Sequence, residues 1–236
     1  MSKPRNKDEP VNVLVIAPHP DDEVIGCGGA VCLHADRGDR VVGVFLTSGE
    51  LGLKQMSRET ARAIREREAQ AAARILGLAE TVFLRLPDWS AGEHLQDGAT
   101  LLSPILKREH PGLIYLPHPH EWHPDHQAAW PLVQRALVRA RPEKLPRLRS
   151  YEVWTPLAAW DQVQDISAVM PRKLRALRAH RSQLDGFDYV AAVKGLNQFR
   201  GALAGRCRYA EAFGAEPVDG TARRPGAPVG INRGKP

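Results

Sequence analysis

Four runs of this chain are apolar along almost every residue, and no other feature limits the fold more tightly. They are VNVLVIAP (11–18), RVVGVFLTS (40–48), ETVFLRL (80–86) and GLIYLPH (112–118), the first two rich in β-branched side chains. A strand with one wet face alternates apolar and polar residues; a continuous run belongs to a strand covered on both faces. Helical spacing fills the intervals. In 57–78, Ala61, Ile64, Ala71, Ile75 and Leu78 recur along one side, and Ser57 with Thr60 supplies a start signal. ATLLSPILKREH (99–110) and HQAAWPLVQRALVRA (126–140) follow, each with a Pro that kinks or bounds a helix. Strands alternating with helices predict βαβ units, hence an α/β fold with a parallel, doubly wound sheet and helices on both faces.

Past residue 147 the pattern changes. RLRSYEVWTPL (147–157) predicts one more strand, and 169–183 and 189–205 predict two late helices. Trp154, Trp160 and these helices are candidates for the pocket wall or for a subunit contact in a homo-oligomer. From about residue 216 the text is Gly, Pro and Arg without apolar period, which predicts a disordered tail. No linker divides the body, so the expected layout is a flexible 1–10, one domain over 11–215 and the tail 216–236.

Charge and cysteine content exclude other classes. The formal charge is +6, but residues 1–10 carry +1 and 217–236 carry +3, leaving about +2 on the body. That is a weak footprint for nucleic acid. The best basic run, RKLRALRAHR (172–181), has five Lys/Arg in ten residues, but helical spacing spreads them over several faces. No apolar run reaches the ~20 residues of a membrane span, and MSKPRNKDEP has no signal-peptide core. A cytoplasmic location is the expectation, with Cys27, Cys32 and Cys207 as reduced thiols.

Two polar clusters sit where strands end. HPDDE (19–23) follows the first strand, and HPHEWHPDH (118–126) follows GLIYLP. Open α/β sheets bind ligands outside the carboxyl ends of their strands. If both strands are central, the clusters share one edge. Imidazole and carboxylate are the common ligands of Zn²⁺ and similar ions, and a catalytic zinc keeps three protein ligands and a position for water. The clusters offer three ligands, a carboxylate base and a histidine acid. Plainer readings exist: an acidic helix start for PDDE, tight packing for Gly26, Gly28 and Gly29, and a solvated loop for the histidines. The glycines lack the spacing of a phosphate-binding loop.

APHPDDEVIGCGG (17–29) followed about a hundred residues later by HPDH (123–126) resembles the LmbE-like, PIG-L superfamily of zinc-dependent N-acetylglucosaminyl deacetylases. Weaker likeness runs through REREAQAAARILG (65–77), LPD (86–88), KLRALRAHRSQ (173–183) and YAEAF (209–213). The resemblance implies a single-domain Rossmann-like sandwich. It implies Zn²⁺, or Fe²⁺, held by His19, Asp22 and His126, with Asp21 as the base that activates water. His123 would polarise the carbonyl or protonate the leaving amine. Asp125 would hold that imidazole in one tautomer and favour its protonated form. Arg65 and Asp88 match positions that line the sugar pocket in relatives. Glu23 has no chemical step assigned; His118 and His120 could line the mouth; Trp122 offers its face to packing or to a sugar ring.

The expected reaction is hydrolysis of an acetamide on a small amino-sugar conjugate, without an acyl-enzyme. The alternatives are an amidase for a thiol conjugate or another N-acyl metabolite and, outside enzymes, a basic nucleic-acid-binding protein.

Overall fold

A computed structural model of the chain describes residues 10–215. The expected mobile N-terminus, apart from Pro10, and the expected tail lie outside the described residues. The five predicted strands form one parallel sheet: β1 (Asn12–Ala17), β2 (Arg40–Phe45), β3 (Glu80–Phe83), β4 (Leu113–Pro117) and β5 (Arg147–Tyr151), in the order β3-β2-β1-β4-β5. β1 is central, and its neighbours explain its continuous apolarity. Val13 and Val15 enter a core layer with Val24 and Val31 of α1 (Asp22–Asp36). Leu14 and Ile16 enter the opposite layer with Leu102 and Leu106 of α3 (Leu95–Glu109) and Leu132 of α4 (Pro124–Ala140). Pro104 and Pro131 lie inside α3 and α4 rather than at their ends.

α2 (Arg58–Leu76) starts where expected: Ser57 Oγ accepts from the Thr60 amide. Its buried face comprises Ala61, Arg65, Ala69, Ala72, Ala73 and Leu76, rotated from the predicted one, whose Ile75 and Leu78 are only partly buried against the core. The reason is Arg65, a charged residue that apolar periodicity cannot count as core. It is buried because its guanidinium finds carbonyl and carboxylate partners at the sheet edge.

The late region holds α5 (Met170–Leu177), the single-turn α6 (Arg181–Leu184) and α7 (Tyr189–Arg200). It also adds a small antiparallel pair, β6 (Gln162–Asp165) with β7 (Ala210–Phe213), absent from the sequence-based expectation. The basic run 172–181 is no open cationic face. Lys173 is fully buried and donates to Glu211 Oε1 at 2.7 Å, and Arg172 pairs with Asp36.

That buried pair sits in a break of α1. Cys27 leaves helical geometry (φ −139°, ψ 18°). Glu211 accepts from the Gly29 and Ala30 amides at 2.7 and 2.8 Å, capping the second half, while Lys173 donates to Ile25 O at the end of the first. The first half carries Asp22 and Glu23, so β7 and α5 fix the aim of the sheet-edge acids. Tyr151, fully buried, donates to Ile16 O and lies against Gly26. A Cβ at Gly26 would overlap the Tyr151 ring, so a glycine is required there for close approach. Gly26→Ala should therefore cost about 1–3 kcal/mol by overpacking, read as a lower urea midpoint at unchanged slope. A wild-type midpoint would mean that the ring yields freely.

Candidate active site

In the order β3-β2-β1-β4-β5 the sheet reverses between β1 and β4, and both clusters leave the carboxyl ends of these two strands. The topology places His19–Glu23 against His118–His126. Asp21 adopts φ +118°, a conformation sparsely populated by non-glycine residues. Its amide donates to Glu23 Oε2 at 3.0 Å, and the His19 amide donates to Asp22 Oδ2 at 2.8 Å. The tight turn thus uses two of its own acids to hold its backbone, and α1 begins at once behind it.

Three atoms converge. Asp22 Oδ2 lies 3.3 Å from His19 Nδ1 and 3.2 Å from His126 Nε2, and the two nitrogens are 3.3 Å apart. Adjacent ligands of a tetrahedral ion with bonds of about 2.0–2.1 Å are separated by about 3.3–3.4 Å. The donor set and its spacing fit a divalent metal. A nitrogen of His123 joins those of His19 and His126 within 4.8 Å, at the side of this triangle.

The surrounding groups orient the ligands. His19 Nε2 donates to Asp125 Oδ2 at 3.1 Å and lies 3.2 Å from Asp88 Oδ1, which turns Nδ1 toward Asp22. Burial disfavours an imidazolium here, but the bonds to Asp125, Asp22 and Asp88 outweigh it and hold His19 well above the ordinary histidine range. A dication would displace that proton. For Asp22, burial opposes ionisation, yet His126 and His19 overcome it and push the carboxyl well down. Behind His126, Nδ1 has the Glu121 carboxylate at 3.8 Å. Glu121 is itself buried and accepts from the Val153, Trp154 and Thr155 amides.

Asp21 stands beside the triangle. Burial raises its carboxyl to about 6; the Arg65 charge opposes this, while Asp22 adds to it. Arg65 lies 3.3 Å from Asp21 Oδ2 and donates to Gly49 O and Pro20 O. Buried His180, from the late region, faces Glu23 Oε1 at 3.7 Å.

Several placements differ from expectation. The Asp125 carboxylate contacts His19 and the Trp89 and Ala91 amides, not the His123 ring. His123 caps α4: its Nδ1 accepts from the Asp125 amide at 3.2 Å. An accepting Nδ1 leaves the proton on Nε2 in neutral imidazole. Burial, with His19 and His126 nearby, lowers His123 to about 4, so protonation is disfavoured rather than favoured. Arg65 and Asp88, expected to line a sugar pocket, are buried and bonded internally; Asp88 Oδ2 accepts from the Leu51 amide. His118 also turns inward, onto Thr155 O. Glu121 and His180 went unassigned at the sequence level: the first is hidden among histidines, and the second lies over fifty residues downstream in a basic run.

Fold and site together define an α/β protein with a His/Asp group suited to a divalent metal at its switch point. The sequence matches the family described as PIG-L, GlcNAc-PI de-N-acetylase, over residues 14–137. The chain belongs to that family, whose deacetylases are metal-dependent. It is 34% identical to a probable N-acetyl-alpha-D-glucosaminyl L-malate deacetylase 2 of Bacillus subtilis, over 74% of this chain and 84% of that protein. The N,N'-diacetylchitobiose deacetylase of Pyrococcus horikoshii superposes with a TM-score of 0.74 at 29% identity, covering 88% of this chain and 84% of that one. A 4-oxalmesaconate hydratase of Pseudomonas putida is 28% identical over 80% of this chain and 81% of its own length.

The triangle predicts that Zn²⁺-equilibrated protein carries about one ion per chain and that Asp22→Ala weakens binding by more than about 100-fold. Chelator competition followed by elemental analysis measures both. Undiminished affinity in Asp22→Ala would remove Asp22 from the ligand set.

Proposed function

We propose that this protein is a zinc-dependent hydrolase that removes the N-acetyl group from an N-acetylglucosamine-containing small molecule. The observation that carries the reading is the triangle of His19, Asp22 and His126 with an elevated carboxylate, Asp21, beside it. The kinship with N-acetylglucosaminyl deacetylases supplies the substrate class. Fe²⁺ suits the same ligands.

Held by His19, Asp22 and His126, an ion would lower the pKa of a water to roughly 7 and polarise the amide carbonyl. Asp21 accepts the proton of the attacking water. Its elevated pKa places it close to neutrality, where a general base combines ionisation with proton affinity. Arg65 keeps the carboxylate in position through its own ties to Gly49 O and Pro20 O. The oxyanion of the tetrahedral intermediate faces His123, whose Nε2–H donates a hydrogen bond. The backbone of Asp125 fixes that tautomer. Collapse releases acetate, and Asp21 returns its proton to the leaving amine. Asp125 and Asp88 act through His19, and Glu121 acts behind His126.

The reading differs from two rivals in its product. An amidase for thiol conjugates or other N-acyl metabolites releases larger acyl groups in preference to acetate, and a hydratase releases no acid. With metal-loaded protein, acetate should appear from N-acetylglucosamine conjugates. Asp21→Asn should keep its metal and lose about 10²–10⁴-fold in kcat. Full turnover in that variant would eliminate Asp21 as the base.

A further inference from the structure

Large aromatic side chains are seldom left in solvent side by side. Here two flank His123 and the row continues away from it through two more exposed rings and the half-buried Tyr189. Trp122 is 58% exposed and Trp89 53%, with ring centroids 5.4 and 4.5 Å from that of His123. Trp154, 38% exposed, stands 6.5 Å beyond Trp122; Tyr189 lies 5.3 Å beyond Trp154, and Phe187, 68% exposed, lies 5.7 Å beyond Tyr189.

The chain holds these rings out at some cost. Trp89 has φ +69°, unusual for a bulky residue, and Asp125 fixes it by accepting from its amide at 2.7 Å. Trp154 is fixed through its amide, which donates to buried Glu121. The carboxylates that tune His19 and back His126 therefore also position the row.

The chemistry of the row is specific. Its rings are set at 44–63° to one another, so they present separate faces instead of one flat apolar trough. Separate faces with polar edges suit rings that are apolar on one side and hydroxylated around the rim. The segments that bear them, 87–91, 118–123, 152–157 and 185–190, contain no lysine or arginine. They do contain Asp88, Glu121, Glu152, Asp185 and Asp188. Their histidines are His118, turned onto Thr155 O, and His120 and His123, so no permanent cation stands in them to pair with an anionic substituent.

We propose that Trp89, Trp122 and Trp154, continued by Tyr189 and Phe187, form a stacking platform for a second, neutral pyranose ring linked to the N-acetylglucosamine undergoing deacetylation. The substrate class is thus a neutral di- or oligosaccharide, not a conjugate with a carboxylate-bearing aglycone. This rests on the deacetylase reading above, and Trp122 and Trp154 are its specificity-determining residues.

The test compares acetate release from N-acetylglucosamine, N,N'-diacetylchitobiose and N-acetylglucosaminyl malate by metal-loaded protein, and separately measures binding of chitobiose by tryptophan fluorescence. Diacetylchitobiose should exceed the other two in kcat/KM by at least about tenfold. In Trp122→Ala and Trp154→Ala the ratio of disaccharide to monosaccharide kcat/KM should fall about tenfold, chiefly through KM, with Trp122→Phe restoring most of it. Chitobiose binding should weaken in parallel. Preference for the malate conjugate, or an unchanged ratio in both alanine variants, overturns the platform. Chitobiose binding that depends on Trp122 without acetate release from any substrate leaves the platform standing and sinks the deacetylase reading. Acetate release without detectable chitobiose binding does the reverse.

Discussion

Asp21, Asp22 and Glu23 are consecutive and all buried, and the structure around them is arranged to make that tolerable. Like charges removed from water repel strongly unless cations or donors meet them. Each acid has a different solution. Asp22 meets His19 and His126. Asp21 meets Arg65. Glu23 accepts from the Asp21 amide and faces His180. The partners come from α4, α2 and the late region, so the acids at the head of the chain draw most of the fold toward one point. A divalent ion at the Asp22 corner would complete this neutralisation and supply the reactive water.

The sheet makes the meeting possible. Strand order reverses between β1 and β4, and the loops after these two strands meet at that switch point. The break in α1 then sets the direction of the first turn, on which Asp22 and Glu23 ride. The Lys173–Glu211 pair that occupies the break is buried, and a buried pair is seldom a net source of stability. Its bonds to the helix backbone on both sides of Cys27 give it an orienting role instead.

The site was legible where it is local and cryptic where it is shared. The two clusters stand out because histidines and acids gather at strand ends, while the choice of His19, Asp22 and His126 within them is implied by the family resemblance. Their second partners could not be picked out. Asp125 was assigned to His123, its neighbour in sequence, but its carboxylate reaches back to His19, since residues at the start of a helix point across the switch point and not along the chain. Arg65 and Asp88 were expected to greet the substrate. Both are committed to the protein, Arg65 behind Asp21 and Asp88 behind His19. A polar side chain near a site can touch ligand or position another residue, and composition does not distinguish the two.

By itself the sequence determined the five strands of the parallel sheet, the helix start at Ser57 and the pair of clusters destined for one edge. These follow from short-range rules: apolar runs need cover on both faces, and spacing sets period. Tertiary structure alone decided which face of α2 is buried, why α1 breaks at Cys27, which acid serves which imidazole, and that aromatic rings from four separate segments stand in a row. Those outcomes depend on contacts between residues up to 182 positions apart, such as Gly29 with Glu211. A distance in space of that kind leaves no periodic trace along the chain.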